Sequence, residues 1–285
     1  MKFNTKCVHG SGRPDSTGAI SPAIYMSSTF SHPQLGDTTG YQYSRESNPT
    51  RDRLEQLIAG LEEGTDALAF SSGMAAVDAV FHLFSPGDHI ILGDDLYGGS
   101  IRMFTNIYEQ NGIEFTYVGT SDLDAVKAAF KPNTKAVYIE TPTNPMMEIT
   151  DIRTLCELAH ERNALVIIDN TFLSPYFQKP LTLGADIVVH SGTKFIGGHH
   201  DVISGFTIVK DEEIAVKLRL TYKTVGACLS AMDSWLVIRG VKTLALRMEQ
   251  HQKNAIALAE WLKKQPKITK VLFPGLPEHP GYEIN

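Results

Sequence analysis

One feature of this sequence restricts its folding options more than any other: from residue 66 to residue 209, short apolar runs alternate with longer stretches of helical period. The runs fall at residues 66–70, 89–92, 113–118, 136–140, 164–169, 186–189 and 205–209, and most are rich in β-branched residues. Helical spacing is expected between them, at 71–84, 100–110, 122–130 and 151–162. Strands that are apolar on both sides cannot tolerate water on either face. Alternation with helices therefore predicts an α/β fold in which a mostly parallel sheet is covered on both faces. A further helix begins at Asn48-Pro49, with Asn as the cap, Pro in the first turn and Gly64 as its stop.

The flanks read differently. Residues 1–48 are rich in Gly, Ser, Thr and Pro, yet they carry Ile24, Tyr25, Phe30, Tyr41 and Tyr43. A disordered tail is poor in aromatics, so this segment is expected to be an arm packed on another surface, a second subunit included. Residues 49–229 form the large domain. Residues 230–265 read as one long connecting helix, and 266–285, with a strand at 268–273, as the start of a C-terminal domain largely absent from the chain. The net charge of −6 and the lack of a basic run give no footing for nucleic acid or an anionic membrane surface. No apolar stretch approaches the roughly 20 residues that cross a bilayer. The N-terminus has no apolar signal region. Three scattered cysteines argue against a disulfide framework and for a cytoplasmic location.

In open α/β sheets, ligands bind at the carboxyl ends of the strands, so the residues just after each run matter most. The first run is followed by Ser72, Gly73 and Met74 at a helix start, where free N–H groups and the helix dipole suit a phosphate. The second leads to Tyr97 in a glycine-rich turn. After 136–140 comes a proline-bounded loop with Asn144. Run 164–169 ends on Asp169. After 186–189 comes His190-Ser191-Gly192-Thr193-Lys194. A lysine in a turn is ordinarily a solvated surface residue. At a sheet rim it is expected to be partly desolvated, with its amine made available as a nucleophile. One cofactor needs this whole set: pyridoxal phosphate takes a lysine for its covalent link and an acid against its ring nitrogen, together with a phosphate site and a stacking ring.

The motifs YSRESNPT, SSGMAAV, DDLYGGS, ETPTNP, DNTF and HSGTKFIGGHHDVISG resemble those of the Cys/Met-metabolism family of pyridoxal-phosphate enzymes over essentially the whole chain. The resemblance implies the fold-type I architecture: an arm, a large domain around a seven-stranded sheet, and a smaller C-terminal domain. It implies homodimers paired into homotetramers. It casts Lys194 as the covalent lysine and general base, Tyr97 as the stacking ring with a part in proton transfer, and Asp169 as the partner of the ring nitrogen. Asn144 would approach the phenolic oxygen. Gly73 and Met74, beside Ser72, would hold the phosphate through backbone N–H groups, and Ser191 and Thr193 through their hydroxyls. Tyr43 and Arg45 would reach the phosphate of the neighbouring subunit.

The implied reaction acts on a small amino-acid substrate, making or breaking a C–S bond. A cystathionine γ-synthase-like reaction (O-acyl-homoserine plus cysteine) stands first, and β- or γ-lyase activity is the alternative. Gly99 stands where methionine γ-lyases have cysteine, which counts against that activity. Other readings are a truncated, non-catalytic assembly protein and a serine acyl-enzyme built on Ser191-Gly192-Thr193-Lys194. The serine enzymes need S-D-N and K-T-G segments, and neither occurs here. His199 and His200 lack the spaced partners of a zinc site, so no metal is expected.

Overall fold

A computed structural model of the chain describes residues 1–10, 12 and 16–284. Residues 11 and 13–15 of the expected arm, and Asn285, lie outside the described residues. All seven expected strands are present: β1 (Asp66–Phe70), β2 (His89–Gly93), β3 (Glu114–Val118), β4 (Thr134–Glu140), β5 (Leu165–Asp169), β6 (Ile187–His190) and β7 (Gly205–Val209). They form one sheet in the order β3-β2-β4-β5-β6-β7-β1. Strands β2 to β6 pair in parallel with their neighbours. Only β7 is reversed, lying antiparallel to both β6 and β1. A parallel return needs a crossover, usually a helix. Residues 191–204 between β6 and β7 contain turns but no helix, so the chain comes back in the opposite direction.

The helices between strands are α2 (Pro49–Glu62), before β1, then α3 (Gly73–Phe81), α4 (Gly98–Met103), α5 (Leu123–Ala129) and α6 (Ile152–His160). Helix α4 continues as a wider π-helical turn, Phe104–Tyr108. The expected cap of α2 is made: the Asn48 side chain accepts from the Thr50 N–H at 3.0 Å, with Pro49 in the first turn. Gly64, however, is not the left-handed residue at its end, because Glu63 takes that conformation. Gly64 is there for space: a Cβ would lie 2.4 Å from Ile208 Cγ2.

Strand side chains alternate between two faces. Ala136, Tyr138, Ile187 and Val189 pack with α3 and α4 around Phe81, which is fully buried and stacks on Phe104. Val137, Ile139, Val166 and Ile168 pack on α5 and α6. Alongside them, Val188, Phe206 and Ile208 meet α2.

Three expectations need correction. Residues 230–265 are not one helix but two, α10 (Ala231–Val241) and α11 (Leu244–Leu262). At the break, the Gly240 carbonyl is taken by the Thr243 hydroxyl and the Arg247 guanidinium, so local bonds replace the helical ladder. Residues 268–273 are not a strand among the described residues, since no neighbouring strand supplies a ladder. The arm begins with a helix, α1 (Phe3–His9), anchored by the Lys6 ammonium on the Gly60 carbonyl. The rest of the arm is irregular, as expected, and is tied to the body: the Thr50 hydroxyl donates to the Ala23 carbonyl, and the Trp235 N–H to the Pro22 carbonyl. Helix α9 (Glu212–Val225) was missed, as were the short turns α7 (Ser174–Phe177) and α8 (Pro180–Leu183).

Candidate active site

Because β7 alone runs backwards, the carboxyl ends of the other six strands and the start of β7 share one edge of the sheet. There, Ser72 caps α3 by accepting from the Ala75 N–H at 3.1 Å. That leaves the N–H groups of Gly73 and Met74 without an acceptor among the described residues. The turn after β6 lies directly on this helix start. A Cβ on Gly73 would sit 2.8 Å from Ser191 Cβ and 3.0 Å from its hydroxyl oxygen. The Ser191 hydroxyl has no partner among the described residues, while its N–H donates to the Thr171 hydroxyl at 2.7 Å. Two free N–H groups and a free hydroxyl at the positive end of a helix make an anion cradle. Thr193 is less free. Its hydroxyl donates to the Ser204 carbonyl at 3.1 Å and accepts from the Ser204 N–H at 3.0 Å, so it could donate to a phosphate only by releasing the first bond.

A second group of residues is acidic. Asp169 ends β5 half-buried, accepting from the Thr171 N–H at 3.0 Å. Burial raises its carboxyl above the usual range, and the Thr171 hydrogen bonds and the nearby His190 pull it back. Beside it on β4, in register, stands Glu140. Burial, then the Asp169 charge, push Glu140 up to about 8. The Tyr138 hydroxyl, buried without a well-formed hydrogen bond, faces both carboxyls. Glu140 accepts the Tyr97 N–H at 3.0 Å, at the start of α4. The Tyr97 ring folds over Gly99, where a Cβ would lie 2.3 Å from it, and stays half-exposed. This explains the small residue at position 99 sterically.

Lys194 lies in the turns after β6, its N–H donating to the Ser191 carbonyl at 3.2 Å. It is exposed, so the expected partial desolvation is not met in the single subunit. Its ammonium has no ion pair or hydrogen bond among the described residues. The backbone around it is held from behind: Arg247 Nη1 donates to the Phe195 carbonyl at 2.6 Å, and a Cβ on Gly240 would meet the Gly197 carbonyl at 2.3 Å. The break between α10 and α11 thus serves the site by aiming Arg247 at the lysine turn.

Asn144 is exposed in the loop after β4, where both X-Pro bonds are cis. Among the described residues, no hydrogen bond or ion pair joins it to the other site residues. Among the described residues, neither Tyr43 nor Arg45 makes a hydrogen bond or ion pair with the cradle of its own subunit. Arg45 stacks on Tyr43 and donates to the Lys223 carbonyl at the end of α9. Glu140, Thr171, His190 and Arg247 were not singled out from the sequence. Glu140 and His190 end strands and follow from the same strand-end rule; Arg247, far along the chain, carries no such signal. The His199 ring Nδ1 donates to the Gly197 carbonyl at 2.8 Å, and no metal cluster exists among the described residues.

Chemically, this edge can hold an anion at α3, offer an acid to a basic ring nitrogen, lay an aromatic ring across a flat ligand and present a free amine. That is the set pyridoxal phosphate requires, and these residues fit it.

The chain is 50% identical, over 99% of its length and 74% of the relative's, to a cystathionine beta-lyase of Lactococcus lactis subsp. cremoris (strain MG1363). It is 47% identical to a cystathionine gamma-synthase of Mycobacterium bovis, covering 98% of this chain and 73% of that one. The solved structure of cystathionine gamma-lyase from Lactobacillus plantarum complexed with L-serine superposes with a TM-score of 0.97 at 49% identity, covering all of this chain and 74% of that one. The chain thus spans about three quarters of these relatives. The model of the Cys/Met metabolism PLP-dependent enzymes matches residues 4–285, and by that match and these identities the chain belongs to that family, an enzyme family whose cofactor is pyridoxal phosphate.

Proposed function

We propose that this chain makes or breaks the C–S bond of a cystathionine-class amino acid in trans-sulfuration. The observation that carries the reading is the meeting, at one sheet edge, of the Gly73–Ser191 cradle, the Asp169 acid, the Tyr97 ring and the unpaired Lys194 amine. Relatives bearing lyase and synthase names stand at nearly equal identity, so both directions are kept. The first is O-acyl-homoserine plus cysteine to cystathionine; the second is cleavage of cystathionine.

Lys194 would carry the cofactor covalently, and its amine, once freed by substrate, would take the α-proton, then the β-proton where the γ-bond reacts. Asp169 would hold a proton at the ring nitrogen. Pyridoxal phosphate, when bound, supplies the electron sink for charge at the substrate α-carbon. Tyr97 would stack on the ring, and its hydroxyl would protonate the leaving group. Gly73, Met74 and Ser191 would bind phosphate, with Thr193 joining if it releases Ser204, and Asn144 would approach the phenolic oxygen. The product decides the direction. With cystathionine as substrate, pyruvate marks β-cleavage and α-ketobutyrate γ-cleavage; cystathionine formed from O-acyl-homoserine and cysteine marks synthesis. No turnover of any of these would overturn the reading and favour a non-catalytic assembly role.

We further propose a cytoplasmic homodimer or homotetramer in which Tyr43 and Arg45 complete the neighbour's phosphate site. Supporting this, both are exposed and, among the described residues, neither makes a hydrogen bond or ion pair with its own cradle. Subunits carrying Arg45→Ala and subunits carrying Lys194→Ala should each be impaired, and mixing them should restore activity, because a mixed pair holds one intact site. Mixtures no more active than their parents would place Arg45 outside the neighbour's site.

A further inference from the structure

We propose that Glu140 is a positioning residue for the catalytic edge: it fixes the turn that presents Tyr97, and with Asp169 it forms a carboxyl pair that holds one proton. The proposal rests on the family reading above, but it concerns a residue given no role there.

Four observations converge on Glu140. It is buried, 6% exposed, at the end of β4. Carboxylates are almost never buried without a partner, and the group it holds is a backbone N–H, that of Tyr97, at 3.0 Å. No helix residue can bond that N–H, because Tyr97 is the N-cap of α4. The Glu140 carboxyl is therefore the fixed point from which both the turn and the ring folded over Gly99 are hung. Second, Glu140 and Asp169 are register partners on adjacent parallel strands, with side chains on the same face. Like charges so placed cannot both ionise freely. Third, no cation among the described residues pairs with Glu140; the charged and titratable groups that face it are Asp169 on β5, Tyr138 on its own strand and Asp95 in the loop after β2, each acidic or neutral. Fourth, burial and the Asp169 charge accordingly displace its carboxyl upward to about 8, and burial displaces Asp169 upward as well, so near neutral pH the pair shares a proton. The division of labour is physical. A protonated Glu140 still accepts the Tyr97 N–H, and it leaves Asp169 as the one anion available to a ring nitrogen.

Glu140→Gln mimics the protonated state, since its amide oxygen can accept the same N–H and it carries no charge. Glu140→Ala removes both functions. Cofactor affinity, measured by adding pyridoxal phosphate to the apoprotein, should stay within about twofold of wild type for the Gln variant. It should fall by about tenfold for the Ala variant, the scale of one hydrogen bond lost at a buried site. The circular-dichroism band of the bound cofactor, which reports its packing against Tyr97, should be retained by Gln and weakened by Ala. Apoprotein melting gives a readout independent of the cofactor and of the activity assigned above. A carboxyl that ionises near 4.5 when unfolded and near 8 when folded costs stability as pH rises between those values. The melting temperature of the Gln variant relative to wild type should therefore climb from pH 5 to pH 8.5. A flat difference, or an Ala variant with wild-type affinity and an unchanged band, would overturn the proposal. So would a Gln variant as impaired as Ala. If the apoproteins melt as expected but cofactor fails to bind at all, the family reading fails and the carboxyl pair stands.

Discussion

Lys194→Ala protein is expected to fold normally and lose turnover by on the order of 10³-fold or more, because a positioned proton-transfer group alone supplies about 10²–10⁴-fold. The structure separates these two effects. The Lys194 ammonium is exposed and makes no ion pair or hydrogen bond among the described residues, so its removal should change stability by about 0.5 kcal/mol or less. Borohydride treatment of the wild-type protein bound to pyridoxal phosphate should leave a pyridoxyl group on the peptide containing Lys194, found by mass spectrometry. The alanine protein should bind cofactor only reversibly and give no such peptide. An alanine variant that still yields a borohydride-fixed cofactor would assign the covalent link to another amine. One that melts several degrees lower would show that the side chain has a structural task the geometry does not reveal.

Gly205→Ala should produce the largest structural effect of a single methyl group in this chain. Gly205 begins β7 with ordinary backbone angles, so conformation is not the obstacle. Space is: a Cβ there would lie 2.1 Å from the Ser72 carbonyl oxygen and 2.7 Å from Gly73 Cα. Both are main-chain atoms at the start of α3, and neither can rotate away as a side-chain tip would. Overpacking of this kind costs about 1–3 kcal/mol, and more where only backbone can yield. Denaturant unfolding should show that loss. Because relief must push α3 away from the strand, the affinity for pyridoxal phosphate should fall more steeply than stability. A variant with normal cofactor affinity would mean that the α3 terminus takes no part in binding it.

The strands were legible because most of them are apolar and buried on both faces, a pattern that little else in a soluble protein produces; the edge strand β3, with Glu114 and Tyr117 exposed, is the exception. The placement of Asp169, Ser72, Gly73 and Lys194 on one rim was legible for a related reason: each ends a strand or lies in the turn after one, and a sheet brings such positions together whatever the rest of the chain does. What escaped was set by contacts between distant segments. Helix α9 was missed although Asp211 caps it, accepting from the Ile214 N–H. The break at Lys242-Thr243 depends on an arginine side chain reaching the carbonyls of residues 195 and 240. Gly64 was assigned a conformational task when its reason is the neighbouring Ile208. Lys194 is more exposed than its turn sequence implies, because exposure is a property of the whole surface around a side chain, which the turn sequence does not encode.

The reversed direction of β7 bears on how such a site can change. The other proposed site segments of the sheet edge, around Gly73, Tyr97, Asn144 and Asp169, sit on links that leave the edge, cross a face of the sheet and return, so their placement depends on a helix being seated correctly. The lysine segment never leaves. Both of its ends, His190 and Gly205, are fastened at the same rim by strand pairing. Insertions, drift or remodelling in the helical layers can therefore reshape the pocket's walls while the lysine keeps its place. Under the proposed function, the attachment point for chemistry would be mechanically insulated from the parts that vary with substrate.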